Sequence, residues 1–593
     1  MEGWLILDGY EDEPAAFGVP NYLGFHIRYI CGVLESRGIP YTYMTIDEWR
    51  LLHKNKINDS NSRSNLKRKL SDLDGAVVLA GAIVPGKYVR GTPISRRELD
   101  DFLAVFPSGQ PILAGGWAIR HWRYDGWIPI RNNLFCAVQD TDATLEYFLS
   151  TGNWKHKRRT AEQWNKWAKS GAAGLCVTKH PDLYTSDGRS GPLTYEVELY
   201  QGCVRYKRGC KFCIEPKKGV PIWREQNEVI AEVTTAIDHG VRHVRIGGAT
   251  DIYTYKADGV LDLEYPIPNP EPIAEVLHGL REDERLEILH VDNANPSIMA
   301  ENIEPATEIT KSLIETLSDG AVLSFGLESA DPKVHKENWL NCNSEQLKIA
   351  IRHINEYGRE RGKRGLPKLL PGLNFIAGLN GESEETYNMN RTLLNSLRSE
   401  GLWLRRINIR QVEGQGFQEV QDGAFRKFKK SVREEIDHPL LQEIFPIGTP
   451  LSDVWWESHE DRIRRPQHVL DPIHQDLSIY GRSGITFGRQ IGAYPILVGV
   501  PYLIPLETES DIIVTGHGMR SISGIESNLS INTATESQLS AIPGIGQKTA
   551  WKLISARARE LRNNPERPFS TVEEAFQSIK VQPYGLALEV LKA

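Results

Sequence analysis

The chain reads as an α/β protein built around a parallel sheet curled into a partial (β/α)6 barrel, and three observations predict this. From about residue 193 to 430, strand-like runs alternate with helical patterns six times, the order in which crossover helices feed a parallel sheet. The six runs, at 195–200, 243–248, 286–292, 322–328, 373–378 and 405–410, end where Gly, Asn and Glu collect. Barrels of this kind carry their reactive side chains at those C-terminal strand ends. Ahead of them, 75–81 and 111–116 are apolar runs closed by glycine, the pattern of buried parallel strands in a separate unit.

Composition bounds the class. At 593 residues, 40% hydrophobic and 25% charged, the chain has room for about three to five soluble globular domains. No window approaches the roughly eighteen apolar residues of a membrane span, so no membrane partner is expected. The opening MEGWLILDGYEDE is acidic and lacks the basic-then-apolar order of a signal peptide. Seven scattered cysteines make no disulfide framework, and the expectation is a reducing, cytoplasmic setting. With a net charge of −7, binding to nucleic acid would need local basic patches rather than a global field.

Residues 1–150 read as a Rossmann-like α/β domain. Positions 4–8 form a short apolar run, and 22–38 has helical spacing with Leu23, Ile27, Ile30, Val33 and Leu34 on one stripe. The stretch 51–70 is polar and basic, a surface insertion or a partly disordered segment. In an open parallel sheet ligands sit beyond the C-terminal strand ends, here Gly9, Gly81 and Gly115–Gly116. Residues 151–192 read as a connector, in which Trp154, Trp164 and Trp167 are interleaved with lysines and arginines. Such a mixture stacks on bases or, in the plainer reading, packs its tryptophans against a neighbouring domain.

The core, 193–462, opens on Cys203-Val-Arg-Tyr-Lys-Arg-Gly-Cys210-Lys-Phe-Cys213, three of the seven cysteines within eleven residues. Three thiolates on a loop leaving a strand can hold a metal ion or an iron–sulfur cluster. A structural zinc loop is the alternative. This segment resembles the cluster loop of radical S-adenosylmethionine (SAM) enzymes, although six residues separate its first two cysteines where that family usually has three. The resemblance implies a [4Fe–4S] cluster on Cys203, Cys210 and Cys213 that chelates SAM and cleaves it to a 5′-deoxyadenosyl radical. An electron donor such as flavodoxin or ferredoxin is implied with it.

The resemblance extends over about 240 residues and places further positions around the cofactor. Phe212 would lie against the adenine, and Gly247-Gly248 would meet the methionine amino group. An acid often follows those glycines in the family. Ala249 stands there, leaving Thr250 or Asp251 for the role. Ser324 and Glu328 match the segment that approaches the ribose and methionine ends, and Asn374 and Gly378 the turn over the adenine. The N-terminal domain resembles the cobalamin-binding domain of some radical enzymes, which adds cobalamin as a further cofactor, although no D-x-H-x-x-G motif is present. Its glycines are equally read as ordinary strand-to-helix turns. Methylthiotransferases carry three more cluster cysteines in their N-terminal domain. Only Cys31 and Cys136 lie in that region here, so a second such cluster is not expected.

From 463 to 525 short β-prone runs replace the helical patterning, predicting a small β-rich domain. It loosely resembles the RNA-binding barrel of tRNA methylthiotransferases, or serves as a structural cap. Residues 526–593 resemble a helix-hairpin-helix domain. Thr535 caps its first helix, Pro543 ends it, and Gly544-Ile545-Gly546 turns into a second helix whose N-terminus can approach a phosphate. Lys548 and Lys552 add charge there, although eight Lys/Arg against six acids make residues 531–593 only weakly basic. The hairpin is otherwise a packing module. The combined expectation is a transferase that modifies a nucleic acid, RNA or DNA and tRNA-like, by methylation or methylthiolation. The alternatives are a radical enzyme on a protein or small metabolite, and a nucleic-acid-binding scaffold with structural zinc.

Overall fold

In the computed structural model all residues are described except 1–2, 11–21, 55–69, 82–91, 128–130, 132, 413–415, 462–483, 563 and 584. Most of the expected insertion at 51–70 lies outside the described residues. The chain divides into two units, residues 1–209 with 213–318, and residues 210–212 with 319–593. Among the described residues no helix is long and apolar enough to cross a membrane.

The first unit begins with β1 (Trp4–Gly9), β2 (Tyr22–Leu23), β3 (Tyr41–Thr45), β4 (Gly75–Ala80), β5 (Ile112–Gly115) and β6 (Leu134–Cys136). All but β2 form one parallel sheet in the order β3-β1-β4-β5-β6. This is the doubly wound order whose direction reverses beside β1. The expected glycines stand at its C-terminal edge, and the chain itself crowds Gly9, Gly115 and Gly116. A Cβ added at Gly9 would lie 2.3 Å from the Leu79 carbonyl oxygen, and one at Gly115 2.0 Å from Thr141 Oγ1. At Gly116 it would meet the Ala80 carbonyl oxygen at 2.3 Å. Packing alone therefore requires glycine there, and these positions supply no argument for a cobalamin cradle.

The first unit also holds β7 (Thr194–Val197), β8 (Tyr200–Gln201), β9 (Ile222–Trp223), β10 (His243–Ile246), β11 (Ile288–Val291) and the short β12 (Asn293–Ala294). β11, β10 and β7 are parallel neighbours, joined by helices Gln226–Asp238 and Pro270–Arg281. The run expected as one strand at 195–200 is split. After β7 the chain turns, and β8 pairs antiparallel with β9. The helix expected at 22–38 starts instead at Phe25, because Tyr22 and Leu23 join the edge of β7 in parallel register.

Helix Phe25–Arg37 crosses the connector helix Ala161–Ala172 closely. A Cβ on Gly32 would lie 2.0 Å from the Trp167 carbonyl oxygen, and one on Gly171 2.0 Å from that of Arg28. Trp164 and Trp167 are 2% and 1% exposed, so neither is available to stack on a base. Arg28 is fully buried, donates to Glu232 Oε1 at 2.7 Å and to the Glu196 carbonyl, and lies over the Tyr195 ring. Arg224 completes the pair on Glu232 at 2.5 Å. Gly32→Ala is expected to destabilise this unit by about 1–3 kcal/mol through overpacking, read as a lower thermal midpoint. An unchanged midpoint would show that the crossing is looser than described.

The second unit contains β13 (Ala321–Glu328), β14 (Leu369–Ala377) and β15 (Arg406–Gln411), all parallel, with helices Ser344–Gly358 and Glu384–Ser399 between them. All six predicted core strands therefore exist, three in each unit. A closed five-stranded barrel follows, made of β16 (Pro450–Asp461), β17 (Gly484–Gln490), β18 (Leu497–Val500), β19 (Glu509–His517) and β20 (Ser521–Glu526). Its first strand lies before position 463, where β-rich sequence was expected to begin. Register shifts between Leu451 and Val454 and between Trp456 and Ser458 break the two-residue alternation that marks a strand in sequence.

Helices Glu536–Ala541 and Gln547–Glu560 form the C-terminal hairpin. One apolar core joins the barrel residues Trp456, Val498 and Val514 to Leu539, Ile545 and Leu553 of this hairpin and Phe576 beyond it.

Candidate functional site

Cys203 follows β8 after a turn at Gly202, which has φ +99°. The 202–221 loop is closed at its base by the β8–β9 pairing and by the Cys203 N–H, which donates to the Gly219 carbonyl at 3.4 Å. Cys203, Cys210 and Cys213 are partly exposed, whereas Cys31, Cys136, Cys176 and Cys342 are buried. Burial pushes the Cys203 thiol up to about 11, offset in part by the Arg205 N–H at 3.4 Å from its sulfur, with Cys213 near enough to add repulsion. A thiol held neutral by burial ionises when a bound cation offsets the charge. Among the described residues no three His, Cys, Asp or Glu side chains converge on a single metal ion. Thiolates from three cysteines are the donor type that a [4Fe–4S] cluster takes.

Gly247 and Gly248 follow β10 and run tightly against β7. A Cβ on Gly247 would lie 1.9 Å from Glu196 Oε1, and one on Gly248 2.7 Å from the Glu198 backbone. Of the two residues in line for the family's acid, Thr250 is engaged with Tyr200, whose hydroxyl lies 2.9 Å from its Oγ1. Asp251 is 3% exposed, and its Oδ1 accepts the N–H groups of Asn295 and Tyr253, both at 3.0 Å. Its Oδ2 is buried with no partner, and burial raises the carboxyl to about 7. Asp251 is thus the better placed to receive a cationic group. Sequence reasoning passed over Asn295, which holds it.

In the second unit Lys211 N–H donates to the Asn338 carbonyl at 3.1 Å, which fixes residues 210–212. Phe212 and Cys210 pack on Val334, Leu340 and Leu379, beside Ile376, Val412 and Phe417. Gly378 has φ +88°, and its N–H donates to Glu382 Oε2 at 3.0 Å. The ring of Phe212 and the turn at Gly378-Leu379 therefore belong to one apolar patch. Asn374 Nδ2 donates to Ser324 Oγ at 3.0 Å, and Asn408 Nδ2 donates to Asn374 Oδ1 at 2.9 Å. Asn408 lies in the expected strand 405–410 without being marked as a site residue, although the alternation Arg406, Asn408, Arg410 marks one strand face.

Glu328 ends β13 at φ +67°, with Oε2 buried and unpartnered. Burial lifts its carboxyl from an ordinary 4.5 to about 8, with Arg410 pulling the other way. Because the folded value is the higher one, the stability this group contributes is fully present below about pH 4.5 and is lost as pH rises through about 8. Glu328→Gln should therefore raise the Tm of cofactor-free protein by about 2 °C or more above pH 8, and by much less near pH 5. A difference that does not grow with pH would mean that the carboxylate already has a partner.

In the hairpin Thr535 caps its helix reciprocally with Gln538, as expected. Gly544 has φ +92°, and Gly546 is the N-cap of the second helix. A Cβ on Gly546 would meet nothing within 4 Å. Lys548 and Lys552 are exposed. The Ile545 side chain is 3% exposed and anchors the core, so it is not available to a ligand.

Residues 197–391 match the family model of the radical SAM superfamily. An uncharacterized protein of Methanocaldococcus jannaschii is 33% identical over 549 residues, covering 88% of this chain and 92% of that protein. The tRNA-2-methylthio-N(6)-dimethylallyladenosine synthase of Methylacidiphilum infernorum is 23% identical over 247 residues, 41% of this chain and 46% of that one. Among solved structures, the radical SAM methyltransferase TsrM of Kitasatospora setae superposes with a TM-score of 0.42 at 13% identity, covering 69% of this chain and 73% of its own. With the matched stretch running from the end of β7 past β14, the chain belongs to the radical SAM superfamily, whose cofactors are a [4Fe–4S] cluster and S-adenosylmethionine.

Proposed function

We propose that Cys203, Cys210 and Cys213 hold the cluster and that the radical is aimed at a nucleic acid, tRNA-like, which is methylated or methylthiolated. When bound, the cluster supplies the electron that splits SAM into methionine and a 5′-deoxyadenosyl radical. The chain's own residues bind and shield. Asp251 and Glu328 each offer a buried, unpartnered carboxylate oxygen to a cationic group. Ser324 and Asn374 offer hydrogen bonds to a hydroxyl, and the Phe212–Leu379 patch excludes water.

The observation that carries the choice of nucleic acid is the open N-terminus of helix Gln547–Glu560, with Gly546 uncovered and Lys548 and Lys552 exposed beside it. Backbone N–H groups at such a helix end suit a phosphate oxygen. The partial likeness to an enzyme named for a tRNA methylthio modification supports the same reading. Anaerobic incubation with SAM and a reductant against total cell RNA, followed by nucleoside mass spectrometry, is expected to show a new methyl or methylthio nucleoside. SAM cleavage with every nucleoside unchanged, and no RNA bound, would move the substrate to a protein or metabolite.

A further inference from the structure

Four arginines of the second unit gather around one carboxylate. Asp437 pairs with Arg433 and lies 4.0 Å from Arg520 Nε. Arg433 also donates to the Ile407 carbonyl at 2.9 Å, which holds it beside the start of β15. There Arg406 lies over the Tyr494 ring at 5.0 Å, and Arg405 donates to the Tyr494 carbonyl at 2.9 Å. Among the described residues Asp437 is the only carboxylate paired with any of the four. Three positive charges are left uncompensated in a partly buried place, where arginines are normally paired. Burial, with repulsion from Arg406 and Arg520, pushes Arg405 down to about 10. Burial and repulsion from Arg433 and Arg406 do the same to Arg520 against the pull of Asp437.

Two further features mark the place. The residues Val432–Asp437, which supply Arg433 and Asp437, form a π-helical turn between helices Asp422–Ser431 and His438–Ile444. Turns of this kind concentrate at functional sites because the wider loop re-aims side chains. The cluster is also joined by hydrogen bonds to residues assigned above to the cofactor. Arg406 Nε donates to Asn408 Oδ1 at 2.8 Å, Asn408 to Asn374, and Asn374 to Ser324. Register pairs Arg406 with Gly372 and Asn408 with Asn374. Arg406 therefore lies on the same sheet face, roughly 7 Å nearer the N-terminal strand ends than the asparagine row.

We propose that Arg406, Arg433 and Arg520 form an oxyanion site that takes a phosphate group of the substrate. Guanidinium forks match phosphate oxygens two at a time, and a dianionic phosphate would offset most of the excess charge. A phosphate anchored beside Arg406 leaves the rest of the ligand to extend along the face toward Ser324 and Glu328. That the phosphate belongs to the substrate rests on the radical-enzyme reading of the same sheet, whereas the oxyanion site itself does not.

Inorganic phosphate alone tests the site on the full-length protein. Raising phosphate should increase Tm by several degrees beyond chloride at equal ionic strength, since a ligand that binds only the folded state stabilises it. Arg520 is 47% exposed with Asp437 as its partner, so Arg520→Gln should fold. It should weaken phosphate binding at least tenfold while raising Tm in chloride, because it relieves repulsion. Arg520→Lys should restore part of the affinity. A phosphate shift no larger than the chloride shift, or the wild-type shift retained in Arg520→Gln, overturns the proposal. Competition then identifies the source. Displacement of phosphate by nucleoside 5′-monophosphates assigns a terminal phosphate, and displacement by an RNA oligonucleotide alone assigns the backbone. Phosphate binding without any RNA binding would overturn the nucleic-acid reading and leave this site standing.

Discussion

Replacing Cys203, Cys210 and Cys213 together by alanine is expected to remove essentially all iron, labile sulfide and broad visible absorbance from anaerobically reconstituted protein. The three are the partly exposed cysteines of the chain and share one loop with a closed base. Cys31, Cys136, Cys176 and Cys342 are buried, and burial raises Cys342 well beyond the ordinary thiol range. Substituting any of those four by serine or alanine should cost stability and leave the iron content of the folded protein unchanged, since a buried thiol behaves as a small hydrophobe. The triple variant should keep the fold, because strands β7, β10 and β11 are held by apolar packing and by buried pairs such as Arg245–Glu196 at 2.6 Å. Full iron in the triple variant would reassign the cluster. Iron lost on mutating Cys31 or Cys136 would instead point to a second centre in the N-terminal domain.

Much of the scaffold was legible because its strands are short apolar or alternating runs, several closed by glycine, asparagine or glutamate, and each of the six core strands overlaps one of those runs, the first being cut short at Val197. The hairpin was legible for a related reason, since Thr535 and Gly544-Ile545-Gly546 are local signals that need no tertiary partner. What escaped detection depends on contacts distant in sequence. Tyr22 and Leu23 look like the start of a helix until β7 offers a free edge. Strand β16 hides behind two register shifts, with Asp453 at φ +56° within it. Trp164 and Trp167 among lysines resemble a stacking surface until a helix more than a hundred residues earlier covers them. Arg406, Arg433 and Arg520 are unremarkable in sequence, because nothing in three separated segments tells that Arg433 and Arg520 meet at Asp437 with the charge of Arg406 close by.

Gly546→Val should abolish or greatly weaken nucleic-acid binding while leaving the fold and substrate-free SAM cleavage intact. The structure makes this substitution informative. Gly546 has an ordinary φ of −77°, and an added Cβ meets nothing of the protein within 4 Å, so the side chain costs little in stability. What it occupies is the space in front of the helix N-terminus, where a phosphate oxygen must come close to the backbone N–H groups. Gly544 is the contrasting position, since φ +92° makes any other residue strained and its loss of binding would confound unfolding with contact. Removing the exposed charges of Lys548 and Lys552 should weaken binding equally for all sequences. Each phosphate contact contributes about 0.7–0.9 to the slope of log affinity against log salt, so losing two should reduce that slope by roughly 1.4–1.8. Affinities for RNA and DNA at several salt concentrations measure both effects. An unchanged slope in the double-lysine variant would remove the hairpin from the interface and turn the search for the phosphate contact to the site proposed at Arg406, Arg433 and Arg520.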